Sequence, residues 1–172
     1  SSARLAAQKG LPYAFASHFA TAQLFNALEI YRDQFQPSEA LQKPYVIAGI
    51  NAVVADTDEQ AERLYTSALR MVINILSGTQ TQFIEPPTQM STSLEEVRQH
   101  PAIMQMTRYS FVGSKETVKK QVEEFIGQTQ VDEIIVSSMM YDSDDRIKSA
   151  GLFAEIMKEI NKSTKVAKTS SL

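Results

Sequence analysis

The sequence predicts an α/β fold built on a parallel sheet, and three observations carry that prediction. Apolar strand segments alternate with helical segments, and strands joined through helices pair in parallel because each connection crosses over the sheet. Each strand segment is apolar along most of its length, which is typical of strands covered on both sides. The 172 residues open on a short helix, inside a repeating pattern with no strand before it. We therefore expect the back half of a larger α/β enzyme.

The first three elements are set by helical spacing and by a glycine. Residues 3–9 form the end of a short helix, and Gly10 follows at a position that favours a left-handed stop. Residues 11–16 read as the first strand. Residues 21–35 form the next helix, because Leu24, Leu28 and Tyr31 recur on one stripe of it.

The second strand covers residues 45–55, and Asn51 is its polar exception. Inside an apolar strand its amide must find a partner, since burying it unpaired costs free energy. It either hydrogen-bonds within the barrel or faces a ligand, and the sequence leaves both open. A long helix follows, in which Thr57 and Gln60 have capping-box spacing and Gly78 marks the end.

The remaining chain contains one long irregular stretch, residues 79–113, with at most a short helix near residue 93. Such an excursion in a compact domain usually carries function or covers something. A helix over 114–126, a strand over 131–137 and a final helix over 144–160 follow. We place one domain at residues 1–162 and a frayed tail at 163–172.

Composition excludes several function classes. The net charge of −3 argues against a nucleic-acid partner. No cysteine is present, which excludes disulfides, thiolate metal sites and a cysteine nucleophile, and suits a cytoplasmic protein. No apolar run approaches the ~20 residues that span a bilayer. We expect no metal either, since the acids around Asp144 lack calcium-loop spacing and His18 and His100 lie far apart.

Three parallel strands alone leave unpaired edges, so we expect the C-terminal portion, about three β/α units, of a (β/α)₈ TIM barrel. Strand ends line the active-site mouth of such a barrel, which would place His18 there. His18 either contacts a cofactor or acts as acid or base, or it hydrogen-bonds the backbone.

Two serine positions allow alternative interpretations. Ser1 and Ser2 begin a helix, where the free amides suit a phosphate, although a plain N-cap is the more ordinary interpretation. Ser137 and Ser138 close the third strand, and Met139, Met140 and Tyr141 follow as a pocket floor or, more ordinarily, as loop packing.

Five stretches, in order, carry a family resemblance. The chain resembles the bacterial luciferase-like flavin-dependent monooxygenases, and within them the alkanal monooxygenase-like subgroup. The stretches cover most of the chain, and the first is the most distinctive. They are residues 2–19 (SARLAAQKGLPYAFASHF), 31–38 (YRDQFQPS), 45–57 (YVIAGINAVVADT), 113–118 (GSKETV) and 132–149 (DEIIVSSMMYDSDDRIKS).

The resemblance implies a barrel that binds reduced FMN, supplied by a separate reductase, and oxidises an aldehyde or a similar small organic substrate with O₂. It implies that Ser2 contacts the flavin phosphate and that Ala16, Ser17 and His18 lie beside the flavin ring, with no metal. The family's N-terminal strands and its catalytic histidine have no counterpart here, and the Gly-Ser-Ser signature is incomplete. We therefore expect no catalysis by this chain alone.

Two non-catalytic alternatives remain. In the first alternative, the chain is a half-barrel that associates with itself or with the missing N-terminal half, because its strand edges are unpaired. Alternatively, it is a phosphate-ligand binding module that uses Ser2 and the helix start.

Overall fold

Parallel strands and helices alternate along the chain, as the sequence predicts. The computed structural model describes residues 1–18, 20–79 and 83–170, with side chains up to residue 164; Phe19 and the last two residues of the predicted tail lie outside it. The elements are α1 (Ser2–Lys9), β1 (Tyr13–Ala16), a 3₁₀ turn (Thr21–Gln23), α2 (Leu24–Asp33), β2 (Val46–Ala55), α3 (Asp58–Leu76), α4 (Thr92–Arg98), α5 (Pro101–Met106), β3 (Ser110–Ser114), α6 (Lys115–Thr129), β4 (Glu133–Ser137) and α7 (Ser143–Ser170).

Local signals fix the ends of two helices. Gly10 ends α1 in the left-handed conformation with φ of 60°, and its N–H reaches the carbonyls of Ala6 and Ala7, which confirms the predicted stop. A Cβ at this position would lie 2.4 Å from the Gln36 carbonyl oxygen, so the close approach also requires glycine. Thr57 caps α3 by accepting a hydrogen bond from the Gln60 amide at 3.1 Å, as predicted.

Strand β2 is the centre of the sheet, and all its partners are parallel to it. The Tyr45 carbonyl accepts from Tyr13, while the Val46 carbonyl accepts from Asp132. Successive carbonyls of a strand point to opposite edges, so β1 and β4 flank the first half of β2 on either side. Strand β3 pairs with the second half, from Asn51 to Ala55.

The sheet has four strands among the described residues, whereas the sequence predicts three. The additional strand β3, together with α4 and α5, lies in the stretch predicted to be irregular. β2 extends beyond the pairing with β1, which ends at Gly49, and with β4, which ends at Asn51. Its second half therefore needs another hydrogen-bonding partner, and residues 110–114 supply it. Helix α7 continues to Ser170, through residues at which a frayed tail is predicted.

Helices cover one face of the sheet along its whole length. Val46, Ala48, Ile50, Ala52 and Val54 of β2 point to this face and are at most 1% exposed. They form one core with side chains of the surrounding helices, including Leu24, Leu28 and Tyr31 of α2, Val118, Val122 and Phe125 of α6, and Phe153 and Ile156 of α7.

The opposite face is uncovered at one end and covered at the other. Ala14 and Ala16 of β1 are exposed, and Ile135 of β4 is 55% exposed. The prediction that β1 is covered on both sides is therefore wrong for the described residues. Further along the same face, α3 packs across the sheet and buries Val53 and Val112 in a second core. Helix α3 thus roofs the carboxyl end of a face that is otherwise open.

Asp58, in the first turn of α3, ties the roof helix to the junction of β3 and α6. Its Oδ1 accepts a hydrogen bond from the Ser114 amide at 2.7 Å. Gly113 leaves room for this contact, because a Cβ there would lie 2.8 Å from the same oxygen. The Ser114 amide, followed by the Thr117 and Ser114 hydroxyls, lowers the pKa of the Asp58 carboxyl from its ordinary value.

We predict that Asp58→Asn weakens the acid dependence of stability. A carboxyl whose pKa is lowered on folding stabilises the protein above its unfolded pKa, and this contribution is lost as the pH falls through the folded pKa. Urea unfolding between pH 6 and pH 3 measures the slope. Glu59→Gln, a neighbour that does not contact the Ser114 amide, is the control; equal slopes for wild type and Asp58→Asn would contradict the assignment.

Candidate active site beneath helix α3

A cavity of about 200 Å³ lies where the uncovered sheet face passes beneath α3. It lies past the carboxyl ends of β1 and β4, which is where parallel sheets place their ligands, and against the middle of β2 and the first residues of β3. Its lining comes from β2 and β3, from the roof helix α3, from α5 and from the two segments that follow β1 and β4. The lining residues are His18, Asn51, Ala52, Val53, Tyr65, Ala68, Met71, Val72, Ile75, Met106, Ser110, Phe111, Val112 and Met139.

His18 follows β1 and reaches the cavity across the uncovered face. Its backbone N–H donates to the Gly49 carbonyl at 3.2 Å, which extends the pairing of β1 with β2 by one bond. Its imidazole lies directly on Gly49, since a Cβ there would be 2.8 Å from Cε1. The missing side chain of Gly49 therefore lets the half-buried imidazole lie against the sheet at the mouth of the cavity.

Asn51 lies at the junction of three strands. It pairs in register with Ser110 of β3 and Ser137 of β4, and its backbone N–H donates to the Tyr109 carbonyl at 3.0 Å. Its side-chain Oδ1 is buried and has no hydrogen-bond partner among the described residues. Of the two roles left open by the sequence, Oδ1 forms no hydrogen bond to another described residue, and the residue lines the cavity.

Tyr65 forms part of the roof and is held by charged groups on its outer side. Its ring is 4% exposed, and the Arg98 guanidinium carbon lies 5.4 Å from the ring centroid. Arg98 also pairs with Glu62 at 2.7 Å, which binds α4 to α3. Burial raises the pKa of the Tyr65 hydroxyl, partly opposed by Ser110 and Arg98. The Tyr65 hydroxyl is therefore neutral at physiological pH.

A second arginine fixes the stretch after α3 against the helix. Arg70 pairs with Glu85 at 3.0 Å and donates to the Pro86 carbonyl at 2.8 Å and to the Thr88 hydroxyl at 3.0 Å. Residues 85–88, within the stretch predicted to be irregular, are thereby held against the outer side of α3.

The four predicted cofactor-binding residues lie in different surroundings. Ser2 is exposed in the first turn of α1, whereas Ser1 is the N-cap and accepts from the Arg4 amide at 3.4 Å. Ala16 lies on the uncovered face, and Ser17 is fully buried with an unpartnered hydroxyl among the described residues. Of these four, His18 lines the cavity.

The three residues Met139, Met140 and Tyr141 after β4 lie in different environments. Met139 lines the cavity, Met140 is buried against the α3 side of the sheet, and Tyr141 is 55% exposed. Asp142 Oδ1 accepts from the Asp144 amide at 2.8 Å, so this acidic group caps α7. No cluster of three potential metal-ligating side chains occurs within residues 1–18, 20–79 and 83–164.

Known proteins resemble the chain in sequence and in fold. A luciferase-like monooxygenase of Escherichia coli strain K12 is 37% identical over 159 residues, which are 92% of this chain and 47% of that protein. Bacillus subtilis YvbT is 37% identical over 157 residues, 91% of this chain and 46% of that protein. Apo-MsnO8 superposes with a TM-score of 0.77 at 28% identity, covering 91% of this chain and 48% of its own. No protein-family profile matches.

The chain belongs to the bacterial luciferase-like family. The resemblance on which the sequence prediction rests is thereby confirmed, and the sheet is part of a (β/α)₈ barrel. The chain spans about half the length of the curated relatives it matches. Within its described helices, none is long and apolar enough to cross a membrane. In this luciferase-like chain the uncovered sheet face is the interior face of the barrel.

We predict that Gly49→Ala displaces the His18 imidazole from the sheet face. The new methyl group would come within 2.8 Å of Cε1, and a side-chain rotation relieves this at a cost of about 1 kcal/mol. NMR spectra of the ring protons measure the displacement, with His100 as the internal reference. Gly127→Ala, where nothing lies within 4 Å, is the control. Unchanged His18 signals in Gly49→Ala would contradict the contact.

Proposed function

We propose that this luciferase-like chain forms one side of the active site of an FMN-dependent monooxygenase that oxidises an aldehyde or a similar small organic molecule with O₂. The observation that carries the proposal is the apolar cavity beneath α3, past the carboxyl ends of β1 and β4. The oxidation is proposed for the whole protein and not for this chain alone, because the chain matches about half of its relatives.

The start of α1 has the properties that a flavin phosphate requires. The first turn of α1 contains no acidic residue and contains Arg4, and both Ser1 and Ser2 are exposed. Free amides and the helix dipole favour an anion there. A diketocamphane monooxygenase from Pseudomonas putida, solved in complex with FMN, shares the fold with a TM-score of 0.52 at 18% identity, covering 88% of this chain and 43% of its own. On this basis we assign the phosphate to Ser2 and the helix start.

In this proposal the residues of the chain bind the flavin and shield the site from solvent. The flavin, when bound, supplies the redox chemistry with O₂. Ala16 presents a small methyl group on the uncovered face, where a flat ring can approach, and the Ser17 and His18 backbone continues that surface. His18 is held against Gly49 and lines the cavity. Met71, Val72 and Ile75 give the roof an apolar lining, which would limit the access of water to the reacting groups.

A separate reductase and a further chain segment complete the proposal. We propose that a separate reductase delivers the reduced FMN, as the family resemblance implies. The uncovered face has to be covered, since Ile135 is 55% exposed on it. We propose that the missing half of the barrel, or another copy of the chain, covers it.

We predict that the chain binds FMN more tightly than riboflavin, which lacks the phosphate, and that Ser2→Ala removes part of this preference. One hydrogen bond to a partly exposed phosphate is worth about 1 kcal/mol, or about fivefold in Kd. Quenching of flavin fluorescence measures both ligands, and Ser163→Ala on α7 is the control. Equal binding of FMN and riboflavin by the wild type would contradict the phosphate site.

A further inference from the structure

The side-chain oxygen of Asn51 is a polar atom left unpaired in an apolar environment. This Oδ1 is buried and without a partner among the described residues, while most of the surrounding lining is hydrocarbon or thioether. An unpaired buried acceptor destabilises a protein, and native structures retain few of them without a reason. One reason that fits a cavity wall is a ligand that donates the missing hydrogen bond.

The neighbouring hydroxyls do not satisfy Asn51 even though the strand register brings them close. Ser110 and Ser137 flank it on the same face, and neither hydroxyl bonds the carboxamide. Ser138, the residue that follows β4, donates its hydroxyl to the Ala52 carbonyl at 2.8 Å instead. The sheet therefore holds Asn51 rigidly through its backbone and leaves its side chain available.

The rest of the cavity restricts what can pair with Asn51. No Asp, Glu, Lys or Arg side chain belongs to the described lining, so apart from His18 at the mouth a charged ligand would find no group to compensate its lost hydration. The volume of about 200 Å³ is below the range of drug-sized sites, so a small molecule fits. Met71, Met106 and Met139 contribute flexible thioethers, which adapt to the shape of an apolar body.

We propose that Asn51 is the polar anchor of the substrate pocket, where its carboxamide binds the single hydroxyl or carbonyl group of an uncharged and otherwise apolar molecule. A carboxamide suits either group, since it carries an acceptor oxygen and a donor nitrogen. The inference rests on the proposed function for the identification of the cavity as the substrate site. The hydrogen bond itself depends on Asn51 and the cavity alone.

The test compares two small probes of nearly equal shape, benzyl alcohol and ethylbenzene, in the wild type, Asn51→Leu and Asn26→Leu. Chains labelled at the methionine methyl groups are titrated by NMR, so that shifts at Met71, Met106 and Met139 locate binding in the cavity. Met104 is exposed outside the cavity and serves as the internal reference. Asn26 is exposed on α2 and gives the control variant.

We expect Asn51→Leu to shift the ratio of the two dissociation constants by about tenfold in favour of ethylbenzene, and Asn26→Leu to leave it unchanged. An unchanged ratio in Asn51→Leu, or probe binding that leaves the three cavity methionines unperturbed, would overturn the anchor. Neither probe involves flavin. A chain that shifts the ratio as expected but does not bind FMN would overturn the proposed function and leave the anchor in place.

Discussion

Strand β2 has ten residues, whereas β1 has four and β4 has five, and the backbone groups along all of β2 need hydrogen-bond partners when they are buried. Its first half is satisfied by β1 and β4, and its second half by β3. The second half of β2 extends past the ends of β1 and β4. The side chains on the otherwise uncovered face of this half therefore need a cover of their own, and α3 provides it. The roof, the cavity beneath it and the positions of His18 and Asn51 all follow from this difference in length.

The α/β class, the parallel pairing and most helices were predictable because they depend on local signals. Gly10 and Thr57 are examples, since a left-handed stop and a capping box act within a few residues. Strand β3 was not predictable in this way. Its five residues contain a glycine and run directly into α6, so no periodicity accumulates, and its strand conformation depends on a partner about 60 residues earlier in the chain.

In the candidate site, too, the features that depend on local signals were predictable and those that depend on distant partners were not. The position of His18 at the end of β1 could be inferred from the order of elements, but its contact with Gly49 could not, because it depends on the register of two strands. Asn51 stood out as polar in an apolar strand, and its role was undecided because a sequence does not show which hydroxyls reach a side chain. The contribution of α3 residues such as Met71 was missed, since their spacing predicts only a buried helix face. The proposal that Ser2 is a site residue rests on the family resemblance, and its exposure at the start of α1 is compatible with that role.

The central claim is that one face of the sheet is open over its first half and roofed by α3 over its second half. The chain contains no cysteine, so single cysteines report on this face without background. Ile135→Cys lies on the open part and Val53→Cys under the roof. Maleimide labelling of the native chain is expected to modify the first at the rate of an exposed thiol and the second at least about tenfold more slowly, because Val53 becomes accessible only when the structure opens. Equal labelling rates at the two positions would contradict the roofed-sheet account.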